Sequence, residues 1–434
     1  MSVNPEFRRN LWLELTPYRL AGMPAVLFAV FFLAYLMDGR NFGGDVATAA
    51  VLLFLLLAGL WGTRLASEAV VVEIRDHTWD GQRMSVTGPW AMTWGKLLGS
   101  TVYPWYGAVI CLAVFALSAE RPSHPLKMAL LMAATALLAQ ALGLLASLMA
   151  IRKDRRYSRS QTTLFFIAGI VLVMPLFSQI RSQEATIEWY GTVLDRLDFL
   201  LLSAVIFVAW AVTGIYRLMR TELQLKNAPW LWCAFLLYLS GYTAGFIGAD
   251  EGFGGDRLLF AFGLLLATTY GLAFSERKDS VTLHRLLADF QGRRWRHFAE
   301  ACPLWLATVP FVLASGGLLL VTGYRGIAHG AFAGFVLALI CLLARDLGLL
   351  LFLNLGRNPR RADWLMLLCL VLLYWVVPQI LIALDFALLS GLFLPRWDLP
   401  PVFILGAALA EAGAVGWLLA RRWRMAVTSV NINQ

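Results

Sequence analysis

The chain of 434 residues carries 36 Lys and Arg against 27 Asp and Glu, a formal net charge of +9, and it is 59% hydrophobic with only 15% charged residues. That balance, with a mean hydropathy of +0.69, excludes an ordinary soluble globular protein, in which about a quarter of residues are charged. The basic excess lies in short segments between apolar runs, the pattern of a chain oriented in a membrane, and does not form the continuous basic patch that nucleic acid requires.

Residues 1–19 are expected to form an amphipathic helix along the inner membrane surface. Phe7, Leu11, Trp12 and Leu15 recur there at helical spacing, opposite Arg8, Arg9 and Glu14. Polar residues reach Arg19 and no small-residue cleavage site follows, so the segment is expected to be retained. About twelve membrane-length segments come next, among them Leu20 to Met37, Lys127 to Ile151, Trp364 to Leu384 and Val402 to Ala420.

Basic connections alternate with acidic ones along the chain. Arg8, Arg9 and Arg19 precede Asp38 to Asp45. Arg152, Lys153, Arg155, Arg156 and Arg159 precede Glu184, Glu188, Asp195 and Asp198. Arg217, Arg220 and Lys226 precede Asp250, Glu251 and Asp256, and the stretch from Arg277 to Arg296, then Arg357, Arg360 and Arg361, and finally Arg421, Arg422 and Arg424 complete the series. Both termini are therefore expected in the cytoplasm of a cell with a multi-pass protein in its membrane, most simply a bacterial inner membrane.

The halves also repeat. Leu55-Leu-Leu-Ala58, Gly62 and Ser67-Glu68 correspond to Leu264-Leu-Leu-Ala267, Gly271 and Ser275-Glu276. Leu142-Gly-Leu144, with Pro175 beyond it, corresponds to Leu347-Gly-Leu349 and Pro378. The expected architecture is all-α: two parallel six-helix units at 20–216 and 230–420, a connector at 217–229 and a cytoplasmic tail at 421–434.

Cys111, Cys233, Cys302, Cys341 and Cys369 are scattered through apolar runs, as are the five histidines, so no metal site, redox pair or cofactor is expected. Gly88 to Leu97 has glycines and a lysine but is no phosphate loop, because the spacing is too long and Leu97 stands where Ser or Thr would bind magnesium. Four charges lie within or at the ends of apolar spans: Arg345 and Asp346, Asp385, and Glu411. An Arg345 to Glu411 pair would fix helix packing, whereas carboxylates at such depth would also suit a proton relay. At the corresponding place the first half holds only Gln140 and Ala141, so a translocation path is expected to be asymmetric.

The long connection after the second span reads Glu73-Ile-Arg75-Asp76-His-Thr78-Trp79-Asp80-Gly-Gln-Arg83, then Gly95-Lys96 leading into span three. It resembles the coupling segment of ABC-2 type exporter permeases. The second half offers Glu276, Lys278, Asp279, Thr282, Leu283 and Arg285, with Glu300 near the place of the lysine. The resemblance implies a transport subunit and no enzyme: two copies of a separate ABC-type ATPase would dock on these segments, and ATP-driven closure would rock the six-span units to export a substrate. Membrane lipids and further envelope components would be its other partners. Trp79, Arg75 and Arg83 are residue types that anchor such contacts. A twelve-span proton-coupled secondary carrier is the alternative reading, and a membrane-bound transferase is a third.

Overall fold

The computed structural model describes residues 4–85, 87–118, 124–153, 186–248, 255–276, 278, 280–324, 327–356, 361–396 and 398–432. The expected fifth span around Pro175 lies outside them, as do Arg155, Arg156, Arg159, Glu184, Asp250, Glu251, Arg277, Asp279, Arg357 and Arg360. Among the described residues nine helices are long and apolar enough to cross a membrane, or ten if one bent pair counts as a single span. This is a helical, polytopic membrane protein. Helices dominate because hydrocarbon offers no hydrogen bonds, so each spanning segment must satisfy its own backbone.

The chain divides into two compact units, Met1–Glu188 with Thr192–Asn227, and Trp189–Gly191 with Ala228–Gln434. The first unit opens on α1 (Pro5–Glu14), where the Asn4 side chain caps the amides of Glu6 and Phe7 and Pro5 starts the helix. The expected helix over 1–19 is thus two elements: α1 stops at Glu14, and Pro17 opens the first span, α2 (Pro17–Met37). The second span runs from α3 (Gly44–Phe54) through a π-helical segment (Leu55–Trp61) into α4 (Gly62–Glu68). Two short helices, α5 (Val71–Arg75) and α6 (Trp79–Arg83), lead to α7 (Pro89–Gly99). There the chain bends by 57° into α8 (Val102–Ser118). α9 (Pro125–Lys153) and α10 (Arg196–Glu222) complete this unit. Within it α2 packs on α3, α3 on α8, α4 on α9 and α9 on α10.

One departure from the all-α expectation is a hairpin of β1 (Thr186–Trp189) and β2 (Thr192–Asp195). Tyr190 and Gly191 turn it with φ of 52° and 75°. Two positive φ values in a two-residue loop match the right-handed twist of the strands, and glycine takes the second at no steric cost.

The second unit contains α11 (Trp230–Ala244), α12 (Gly255–Ser275), then the short α13 (Ser280–Gln291) and α14 (Trp295–Ala301). Next come α15 (Leu304–Thr322) and α16 (His329–Asn354). α17 (Ala362–Val371) passes through a second π-helical segment (Leu372–Val376) into α18 (Val377–Ala383). α19 (Ala387–Ser390) and α20 (Pro401–Ile432) close the chain. Here α11 packs on α12, α12 on α15, and α16 on both α17 and α20. α11, at 15 residues, falls short of the length expected of its span. α10 runs beyond the expected limit at 216 to Glu222, which shortens the connector to 223–229, and α20 runs beyond the limit at 420.

Candidate functional site

The charged connection from Glu73 to Lys96 is not a free loop. α7 carries Gly95 and Gly99 on the face against α1, and a Cβ at Gly95 would lie 2.6 Å from Glu6 while one at Gly99 would lie 2.7 Å from Asn10. Glycine therefore lets the N-terminal helix close onto α7. Asn4 Nδ2 then donates to the carbonyl of Ala91 at 2.6 Å and Asn10 Nδ2 to that of Gly95 at 3.3 Å.

This closure buries Lys96, whose residue is 2% exposed. Its ammonium donates to Glu6 Oε1 at 2.6 Å, to Gln82 Oε1 at 2.8 Å and to Glu73 Oε2. Arg9 adds bonds to Glu73 at 2.6 Å and Glu6 at 3.0 Å, and Gln82 Nε2 reaches Glu73 at 2.7 Å. Two cations face two carboxylates, so the network is balanced as well as hydrogen-bonded, the condition under which buried charges persist. A cleft of about 350 Å³ lined by Glu6, Arg9, Thr78 and Gln82 opens beside it.

Trp79 corrects the sequence reading. Its indole is 4% exposed and packs among Ala66, Val70, Met92, Leu148 and Met219, with the Lys96 ammonium 5.7 Å from the ring centroid. The side chain belongs to the core of the first unit and cannot double as an exposed docking anchor. Trp79→Ala should therefore lower thermal stability itself, by about 3–5 kcal/mol as for other large-to-small core changes. A melting profile of the purified variant that matched the wild type would refute this.

The remaining residues of the segment divide by exposure. Arg75 pairs with Asp76 at 3.3 Å, both in solvent. Thr78 Oγ1 donates to the carbonyl of Glu73 at 3.3 Å, Asp80 is open, and Arg83 Nε donates to the carbonyl of Glu222 at 2.8 Å.

In the second unit Glu276 accepts from the Trp305 amide at 3.5 Å, and Lys278 bridges the carbonyl of Glu276 at 3.0 Å and Asp363 at 3.2 Å. Asp279 lies outside the described residues. Thr282 and Arg285 are exposed on α13 and Leu283 is half-buried. The His284 ring stacks on Trp423 with centroids 4.1 Å apart. Glu300 binds Arg296 at 3.3 Å. Burial and the Glu276 carboxylate push the Cys302 thiol up to about 11, so it stays protonated and inert.

A second polar centre lies within the spans of this unit. Arg345 Nε donates to Asp346 Oδ1 at 2.9 Å and Arg345 Nη1 to Glu411 Oε2, so the pairing expected between these spans is present. Tyr270 and Tyr374 both donate to Asp346 Oδ2, at 2.7 and 2.6 Å. Arg345 Nη2 is buried with no hydrogen-bond partner among the described residues. Neither tyrosine was singled out from sequence; the only signal was a hydroxyl within an apolar run. Asp385 does not join: it is exposed, with φ of 61°, just past α18. In the first unit the corresponding Gln140 is fully buried, accepts from Trp105 Nε1 at 2.9 Å and donates to the Ala58 carbonyl at 2.8 Å.

Comparison with protein-family models, with curated proteins and with solved structures finds no match to this chain.

Proposed function

We propose that the chain is the membrane permease of an ATP-driven exporter of the ABC-2 kind, with two six-span units fused in one polypeptide and ATP hydrolysis in a separate subunit. The observation that carries this reading is the pair of short helices after the second span of each unit, α5–α6 behind α4 and α13–α14 behind α12. Such helices outside the spans suit docking to a soluble partner. Supporting the repeat, the pairs α2–α3, α3–α8 and α9–α10 have counterparts in α11–α12, α12–α15 and α16–α20. The partner would push on Arg75, Asp76 and Asp80 in one unit and on the Thr282 and Arg285 face in the other.

The chain should copurify with a soluble ATPase dimer and hydrolyse no ATP alone. ATP turnover by the isolated chain, or gradient-driven uptake in liposomes without any ATPase, would refute the proposal. The second outcome would favour a proton-coupled carrier, the reading to which the Arg345, Asp346 and Glu411 centre lends weight.

This function requires Thr78 and Thr282 on the cytoplasmic side and Asp45 and Glu188 opposite, all four being exposed. Single cysteines at these positions in a background without native cysteines should separate into those two groups toward an impermeant thiol reagent. Any exchange of members between groups would break the topology.

A further inference from the structure

α13 is amphipathic, but only part of its apolar stripe is covered. Leu283, Leu286, Leu287 and Phe290 follow one another at helical spacing along one side. Leu286 is buried, whereas Leu287 is 45% and Phe290 52% exposed. The stripe continues around the bend into α14, where Trp295 is 58% exposed and meets Phe290 edge-on at 5.6 Å, with Phe298 at 5.6 Å from Phe290. At 12 and 7 residues the two helices are too short to span a bilayer.

Charge surrounds this aromatic cluster. Arg285, Arg293, Arg294 and Arg296 are all exposed, against Asp289 and Glu300 as the acids of the same stretch. Arg296 is tied to Glu300, while Arg293 and Arg294 take part in no ion pair among the described residues. Aromatic rings projecting beside free guanidinium groups are what a headgroup layer accepts: rings enter the acyl boundary and arginines meet phosphate. A soluble partner's groove would not need the basic excess. The polar side of α13, with Thr282, Arg285 and Asp289, remains for such a partner.

We propose that the α13–α14 elbow is a lipid-anchoring patch that binds the anionic phospholipid headgroups of the leaflet beside it. This rests on the reading of the connection as cytoplasmic, where anionic lipid gives the surface its negative potential. Anchoring would hold α13 at a fixed depth while its polar face is pushed from below.

Hydrogen exchange of the full chain in nanodiscs of phosphatidylcholine, with and without phosphatidylglycerol, tests this. Each arginine near an anionic surface contributes roughly fivefold to the bound fraction, less as salt rises. Residues 285–301 should therefore exchange about tenfold or more slowly when phosphatidylglycerol is present. The triple variant Arg293→Gln, Arg294→Gln, Arg296→Gln should exchange alike in both discs, with protection of the spans unchanged. Phe290→Ser with Trp295→Ser should lose protection in both. Equal exchange of the wild type in the two discs overturns the proposal, as does protection that appears only when an ATPase is added. Neither result touches whether the chain copurifies with an ATPase, so the two readings fail separately.

Discussion

Replacing Arg345 with methionine should destabilise the second unit by about 3–5 kcal/mol, the usual consequence of removing one partner from a buried ion pair. Asp346 and Glu411 would then face each other across α16 and α20 without the cation they share. Two tyrosine hydroxyls would still serve Asp346, but Glu411 would lose the Arg345 guanidinium, its one hydrogen-bond partner among the described residues of this centre. Arg345→Lys should restore part of the loss, because a single ammonium cannot present the planar fork that reaches both carboxylates. The double variant Arg345→Met with Glu411→Gln should be milder than the single change, since one stranded charge is gone. The measurement is the thermal midpoint of the monodisperse peak in detergent. An Arg345→Met midpoint equal to that of the wild type would show that the centre does not hold the spans together.

Lys96→Met should have an effect of similar size at the other polar centre, about 3–5 kcal/mol, because Glu6 and Glu73 would lose the ammonium between them. The signature is regional. α1 is held to α7 mainly through Glu6, Asn4 and Asn10, so the variant should release residues 4–16 to protease well before the spans unfold. Adding Glu6→Gln alone should recover part of the stability, since Arg9 would then face the single carboxylate of Glu73 and the centre would again carry no net charge. Protease resistance of the N-terminal helix in Lys96→Met would refute the clamp.

That the chain is a helical, polytopic membrane protein was legible in sequence because a bilayer imposes one length and one polarity on every crossing segment, nine or ten of which stand among the described residues. The Arg345 to Glu411 contact was legible for a related reason: two charges in separate apolar runs have few partners besides each other. Lys96 was not, since its carboxylates lie 90 and 23 residues away and nothing local distinguishes a clamp from a lead-in. Trp79 was misread because a tryptophan in a short charged helix looks the same whether its ring faces a partner or the core. Only the burial of the Trp79 ring in one cluster with Leu148 of α9 and Met219 of α10 decides it. The partly covered stripe of α13 was likewise hidden, since sequence gives amphipathicity but not how much of an apolar face its neighbours occupy.

The π-helical segment in the second span sets the rhythm of that whole helix. A buried residue recurs at every fourth position, Val46, Ala50, Phe54, Ala58, Gly62, Ala66 and Val70, and from Ala58 onward the next residue of each pair (Gly59, Thr63, Ser67 and Val71) is buried beside it. A plain α-helix with 3.6 residues per turn would let such a series drift by roughly 40° at each step and carry it most of the way around the rod. The wider i to i+5 turns of Leu55–Trp61 rotate the helix back, so a four-residue beat stays on one face for the length of the membrane. Most of the residues on that beat are small, which lets the neighbouring backbones come close. Deleting Leu56, which is exposed, would remove no buried side chain, yet it would turn everything beyond it, including the approach to α5 and α6, out of phase with α9.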